Sequence, residues 1–388
     1  MDESKLTRDR VLGEFERIFG GVPRLFRAPG RVNMIGEHTD YNEGYVLPTA
    51  IDKETIAGAR IRSDRTVAVY ACEKDESVTI DLNGPGERRR GSWVDYVEGA
   101  IRCIDEIARL PRGAEIVISS SIPIGSGLSS SAALEVSVAL AMAELNEIDI
   151  SSEDIAFASQ KAEHEYVGTR SGIMDQFASV FGKEGHAVLI DCRSFERTFV
   201  PLNLGEASII VCDSGVHHNL AAGEYNRRRE ECDQAAAILA KHRPGIRSLR
   251  DVSEQDLEEF AGYLNDTLKK RSRHVVLENA RVLDAVEAMR GGDLDRTGQL
   301  VYDSHASLRD LYEVSCAELD FLVDSARACG GVYGSRMTGG GFGGCTVSLM
   351  KTDSVDAFKS RIREAYNSEF GFEPKVYQVR ASDGACEL

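Results

Sequence analysis

Pro123-Ile124-Gly125-Ser126-Gly127-Leu128-Ser129-Ser130-Ser131-Ala132-Ala133 decides how the rest of the chain is read. It follows EIVISS (115–120), a β-branched run with strand character, and leads into an apolar segment of helical spacing from about residue 130. In a strand-loop-helix unit, glycines let the main chain approach an anion closely. Consecutive N–H groups at the helix start, reinforced by the helix dipole, supply the binding field. A triphosphate is the natural guest. The lysine that a Walker loop carries after its second glycine is absent, and serines stand there instead. A Gly/Ser turn is ordinarily only a turn, but three serines running straight into an apolar helix are poorly explained by turning alone.

Working outward, Leu12, Phe15 and Phe19 share one helical face that Gly20-Gly21 ends, so the spacing predicts a helix over 6–19. Short β-branched runs such as TVAVY and SVTIDL fill 24–82, and Val94, Val97, Ile101 and Ile104 mark a helix before the loop. After the loop come helices near 152–166 and 173–182 and strands near 186–191 and 207–213. From 222 to about 328 the pattern is almost wholly helical, with charged faces, and past Gly330-Gly331 the chain returns to strand, glycine loop, strand, helix and strand. The fold class expected is α+β in two closely packed domains, 1–205 and 206–388.

The chain has 388 residues, long enough for two cores, and its 42% hydrophobic and 28% charged content excludes disorder. A formal net charge of −17 with interspersed signs leaves no basic face for nucleic acid or an anionic membrane. Nine scattered cysteines lack zinc or redox spacing, the N-terminus alternates charges, and no apolar run approaches bilayer length. These features point to a cytoplasmic protein with reduced thiols. The acidic surface suits a monomer or weak dimer.

A second segment, Gly30-Arg31-Val32-Asn33-Met34-Ile35-Gly36-Glu37-His38-Thr39-Asp40-Tyr41-Asn42-Glu43-Gly44, sets a dense polar cluster after one short apolar strand. Singly, Glu37, His38 and Asp40 are ordinary solvated loop residues. Together they suit a sugar, whose hydroxyls both donate and accept: carboxylates accept, and a histidine does either. Arg31 adds a permanent cation that could steady a carboxylate or a transferring phosphoryl group. In Ser171-Gly172-Ile173-Met174-Asp175-Gln176-Phe177, Asp175 begins a helix, where it could be a simple cap or a working carboxylate. Glu163, twelve residues upstream, reads by itself as a solvated helix-face carboxylate. Met337-Thr338-Gly339-Gly340-Gly341-Phe342-Gly343-Gly344-Cys345 joins two strands with more glycine than a hairpin needs, as expected where backbone approaches a ligand or another loop.

With these segments in view, the chain closely resembles galactokinases of the GHMP small-molecule kinase superfamily over nearly its whole length. GRVNMIGEHTDYNEG (30–44) resembles the galactokinase signature, PIGSGLSSSAA (123–133) the superfamily phosphate loop, and RMTGGGFGGC (336–345) its third motif, in order and spacing. The resemblance implies an N-terminal domain of mixed sheet and helices, ribosomal S5-like. It implies a ferredoxin-like C-terminal domain with added helices and an active site between the two. It implies ATP-dependent phosphorylation of the anomeric hydroxyl of galactose, with galactose and ATP as small-molecule partners and Mg2+ as cofactor. It assigns sugar contacts to Glu37, His38, Asp40, Gly172, Asp175 and Tyr225, and catalysis to Asp175 and Arg31. ATP would lie along Gly125, Ser126, Gly127, Leu128, Ser129, Ser130 and Ser131, with Trp93 and Tyr96 at the adenine, and magnesium on Ser131 or Ser130 and Glu163. Glu43, where glycine is common in the family, is the one departure. A sibling kinase for N-acetylgalactosamine or arabinose, or a catalytically silent galactose and ATP sensor on the same fold, are the alternatives.

Overall fold

The computed structural model describes residues 3–217 and 221–388. α1 (Glu3–Phe19) buries Val11 and Phe15 against the first sheet. β1 (Arg24–Asn33) leads through β2 (Tyr45–Val46) to the long β3 (Pro48–Ile61), which returns antiparallel to β1. β4 (Thr66–Ala71) and β5 (Glu76–Asp81) form a hairpin, α2 (Trp93–Ile107) crosses over, and β6 (Ala114–Ser120) pairs parallel with β4 and antiparallel with β3. α3 (Ser130–Leu145) then passes through the core, buried at Ala132, Ala133, Val136, Val138, Ala139 and Met142. α4 (Ser152–Ala162) runs into a π-helical turn, Glu163–Val167, before α5 (Met174–Phe181), β7 (His186–Asp191) and β8 (Arg197–Pro201).

The second half starts at β9 (Ala207–His217), so the expected division at 205/206 falls in the turn between β8 and β9. α6 (Ala221–Ala240), α7 (Glu254–Phe260), α8 (Asp266–Arg290), α9 (Leu294–Ser307) and α10 (Ala317–Arg327) make the helical block. β10 (Val332–Thr338), β11 (Gly343–Lys351), α11 (Val355–Phe370), β12 (Lys375–Val379) and β13 (Cys386–Glu387) follow.

The expected α+β class holds. One sheet is mixed, in the order β13-β1-β3-β6-β4-β5, a second is antiparallel, β10-β11-β9-β12, and β2, β7 and β8 form a small third. Sequence patterning missed β8: only Val200 of its five residues is buried, which leaves no alternation to detect. One apolar core takes residues from both halves, Phe26, Ile116 and Val136 from the first and Ile209, Val211, Val282, Met289 and Val347 from the second. Among the described residues no helix is long and apolar enough to cross a membrane.

Candidate active site

The Gly/Ser loop spans β6 and α3. Ser129 stands at φ +60° just before the helix, turning the chain so that α3 points its N-terminus out of the loop. Two elements hold the loop's back. From β1, Arg31 N donates to Leu128 O at 3.1 Å and Arg31 Nη1 to Gly127 O at 2.5 Å. From the β10–β11 turn, Gly339 and Gly344 come so near that an added Cβ would sit 2.9 Å from Gly127 O and 2.9 Å from Ser126 O respectively. The excess glycine thus serves close approach to another loop.

Asp175, in the first turn of α5, faces this loop. Its Oδ1 takes Arg31 Nη2 at 2.7 Å and Nε at 2.9 Å, and its Oδ2 accepts the Ser129 hydroxyl at 2.7 Å. Burial works against the charge of Arg31, but Asp175 and then Glu37 outweigh it and keep the guanidinium above its ordinary value.

The N-terminal polar cluster is buried, contrary to the solvated-loop expectation for each residue alone: Glu37, His38 and Asp40 are 2%, 4% and 9% exposed. Glu37 Oε1 accepts Gly339 N at 2.6 Å and pairs with Arg336 Nη2 at 3.2 Å. His38 Nδ1 meets the Tyr41 hydroxyl at 2.8 Å, and its ring lies 5.4 Å from that of Tyr225. Burial, then His274 and Arg228, hold His38 well below its usual range, so its imidazole is neutral. Burial first and the charge of Asp175 second raise Asp40 to about 7. Gly172 abuts it: a Cβ there would lie 1.9 Å from Asp40 Oδ2, so only glycine fits. The Tyr225 hydroxyl meets the Gly172 backbone.

Glu163 opens the π-helical turn and is 7% exposed, a correction to its reading as a solvated helix-face group. It accepts the Ser171 hydroxyl and also touches Ser131. Gln176 Nε2 lies 3.3 Å from both Glu163 Oε2 and Glu135 Oε2. Burial raises the pKa of both carboxyls, Glu135 well above its ordinary range. Among the described residues no cation forms an ion pair with either, and hard oxygen donors left without a counter-ion are the kind a divalent cation such as Mg2+ takes. Ser130 and Ser131 begin α3 beside this cluster. Tyr96 is near enough for Glu163 and Glu135 to add to burial in raising its hydroxyl's pKa, whereas the Trp93 indole N–H donates to Glu76 at 2.6 Å.

Sequence reasoning missed Glu135, Gln176 and Arg336. A lone carboxylate one turn after Ser131 in the otherwise apolar LEVSVALAMA was the available signal for Glu135. Nothing local marks Arg336.

Known proteins share this arrangement. The GHMP kinases N terminal domain matches residues 95–183, the Galactokinase galactose-binding signature 13–61, and the GHMP kinases C terminal domain 285–368. A galactokinase from Roseiflexus sp. (strain RS-1) is 46% identical over 95% of this chain and 94% of its own length; one from Chloroflexus aurantiacus is 49% identical over 91% and 90%. The crystal structure of Lactococcus lactis galactokinase complexed with galactose superposes with a TM-score of 0.94 at 35% identity, covering both chains fully. Methanococcus jannaschii mevalonate kinase, at 17% identity and a TM-score of 0.64 over 94% of this chain and 99% of its own, shares the fold. Loop, buried polar cluster and glycine turn, matched at this identity over nearly full length, place the chain among the galactokinases of the GHMP kinase family.

Proposed function

We propose that the protein transfers the terminal phosphoryl group of ATP to the anomeric hydroxyl of galactose, giving galactose 1-phosphate and ADP. The observation that carries this is the position of Asp175, held by Arg31 and Ser129 between the phosphate loop and the buried Glu37, His38, Asp40 cluster. The hexose would lie against Glu37, His38, Asp40, Gly172, Asp175 and Tyr225. Its anomeric hydroxyl gives its proton to Asp175 Oδ, while Arg31 faces the charge that develops on the phosphoryl oxygens. The nucleotide's phosphates would run along 125–131 onto the N-terminus of α3, with the adenine toward Trp93 and Tyr96. Glu163 with Ser131 or Ser130 would hold Mg2+, which when bound neutralises the phosphate charge. Residues 1–205 and 206–388 serve as the two domains. We assign the protein to the cytoplasm as a monomer or weak dimer.

A coupled assay of ADP release over galactose, N-acetylgalactosamine, arabinose, mevalonate and homoserine tests the reaction. Turnover on galactose is expected to exceed the rest. Preference for N-acetylgalactosamine or arabinose would make it a sibling kinase, and no turnover on any would make it a sensor. Trp93 is the only tryptophan. Titration with ADP is therefore expected to change the intrinsic fluorescence, and an unchanged spectrum would remove Trp93 from the nucleotide site.

A further inference from the structure

α8 breaks a rule of core helices. Its inward stripe carries His274, Glu278 and Asn279, exposed 0%, 0% and 9%, where apolar residues are expected at this spacing. Polar groups placed so deeply are unfavourable unless each finds a partner. Their partners lie in the sugar-signature segment, far away in sequence. Glu278 Oε1 accepts the Gly36 N–H at 2.9 Å. Asn279 Oδ1 accepts the Tyr45 N–H at 2.8 Å. His274 Nε2 reaches Glu37 O at 3.1 Å; a carbonyl only accepts, so Nε2 carries the proton and Nδ1 accepts from the Ser307 hydroxyl at 2.8 Å.

These bonds grip both ends of the loop that presents Glu37, His38 and Asp40. The grip is close. Gly36, at φ +98°, leaves 2.8 Å between an added Cβ and Val282 of α8, and Gly44 leaves 2.4 Å to Asn279 Oδ1. Glu278 is itself anchored, by Arg281 Nε at 2.7 Å and the Ser304 hydroxyl at 2.5 Å. Burial opposes its ionisation, yet Arg281, His274 and Arg336 more than offset this and hold it at about 2, so the Gly36 N–H meets a full carboxylate. Between the gripped ends His38 adopts φ +62°, a backbone state that a non-glycine residue keeps only when its surroundings impose it.

We propose that His274, Glu278 and Asn279 are positioning residues for the hexose. They fix the path of 36–45 and thereby aim Glu37, His38 and Asp40, without touching the sugar. The inference rests on the assignment of that loop to galactose in the preceding subsection. Sugar affinity is then set partly from the helical block, while the hydrogen bonds of these three residues to other elements run to the sugar loop and to α9, not to the nucleotide loop.

The test compares kcat and the KM values for galactose and ATP in N279A, E278Q, H274F and H274Q, with D40N as the reference for the loop itself. N279A, E278Q and H274F are expected to raise the galactose KM about 10-fold, the usual weight of a hydrogen bond with a charged or buried partner. The ATP KM should stay within about twofold, and H274Q, which keeps an N–H near the Nε2 position, should lose less than H274F. A purely structural role would instead lower kcat with the active fraction, or raise both KM values together, and would overturn the proposal. So would an unchanged galactose KM in all the α8 variants while D40N raises it. If D40N also leaves it unchanged, the loop does not bind the sugar, and the assignment itself falls. Should E278Q fail to fold, N279A and the His274 pair decide, with ADP-induced Trp93 fluorescence as the check on folding.

Discussion

Asp175 is held by two donors, Arg31 and the Ser129 hydroxyl, so its oxygens are oriented before substrate arrives. Asp175→Asn keeps the shape, removes the proton acceptor and sets an amide against Arg31. kcat is expected to fall at least about 10²-fold with the galactose KM little changed, as read by ADP release. Near-normal turnover would remove Asp175 from the mechanism. Asp40 makes a pH prediction. At about 7 it binds its proton more tightly folded than unfolded. The ligand-free protein therefore loses this group's contribution to stability as pH rises from about 4 through about 7, the folded state holding more protons across that window. Ionised Asp40 is the form that accepts sugar hydroxyls, so the galactose KM should drop between pH 6 and 8, and a flat profile would exclude Asp40 as an acceptor. Among the described residues Glu135 has no cation paired with it; Glu135→Gln is expected to leave metal-free stability equal or higher, by up to about 1 kcal/mol or roughly 2 °C in thermal melts.

The β10–β11 turn and the phosphate loop act as one element, because Gly339 and Gly344 approach the backbone of Gly127 and Ser126 closely. Gly344→Ala adds a Cβ at φ +85° and 2.9 Å from Ser126 O. A cost of about 1–3 kcal/mol in stability and an ATP KM raised about tenfold are expected, with the galactose KM less affected; equal shifts in both would show that the turn does not act through the nucleotide loop. At this scale the sequence was informative wherever pattern and partner are both local. The strand at 186–191 was legible from its own short apolar run, and the phosphate loop from its place between strand and helix. Glu37, His38 and Asp40 drew attention through their density. What stayed hidden depends on partners remote in the chain: Glu278 bonds Gly36 across 242 positions, so a polar stripe on α8 reads as a solvated face until the fold brings the loop to it. The π-helical turn at Glu163 escaped for a similar reason, since α4 and the turn share one helical pattern.

Over the whole molecule, the two expected domains each have apolar clusters of their own and share a further, larger one. Val282, Met289, Ile209 and Val347 complete the core around Phe26 and Ile116. Calorimetry of the full chain is therefore expected to show one transition, and residues 1–205 expressed alone should not fold, because large apolar surface would stand uncovered. A soluble fragment with a cooperative melt would contradict this. The same unity extends to the last strand: β13 pairs with β1, Phe26 opposite Glu387 and Arg27 opposite Cys386. β1 is translated long before this outer neighbour: Arg24 and its β13 partner Glu387 stand 363 positions apart. A nascent chain thus has this sheet edge open until β13 arrives, and a chain cut short of β13 keeps it exposed, free for other strands to pair with.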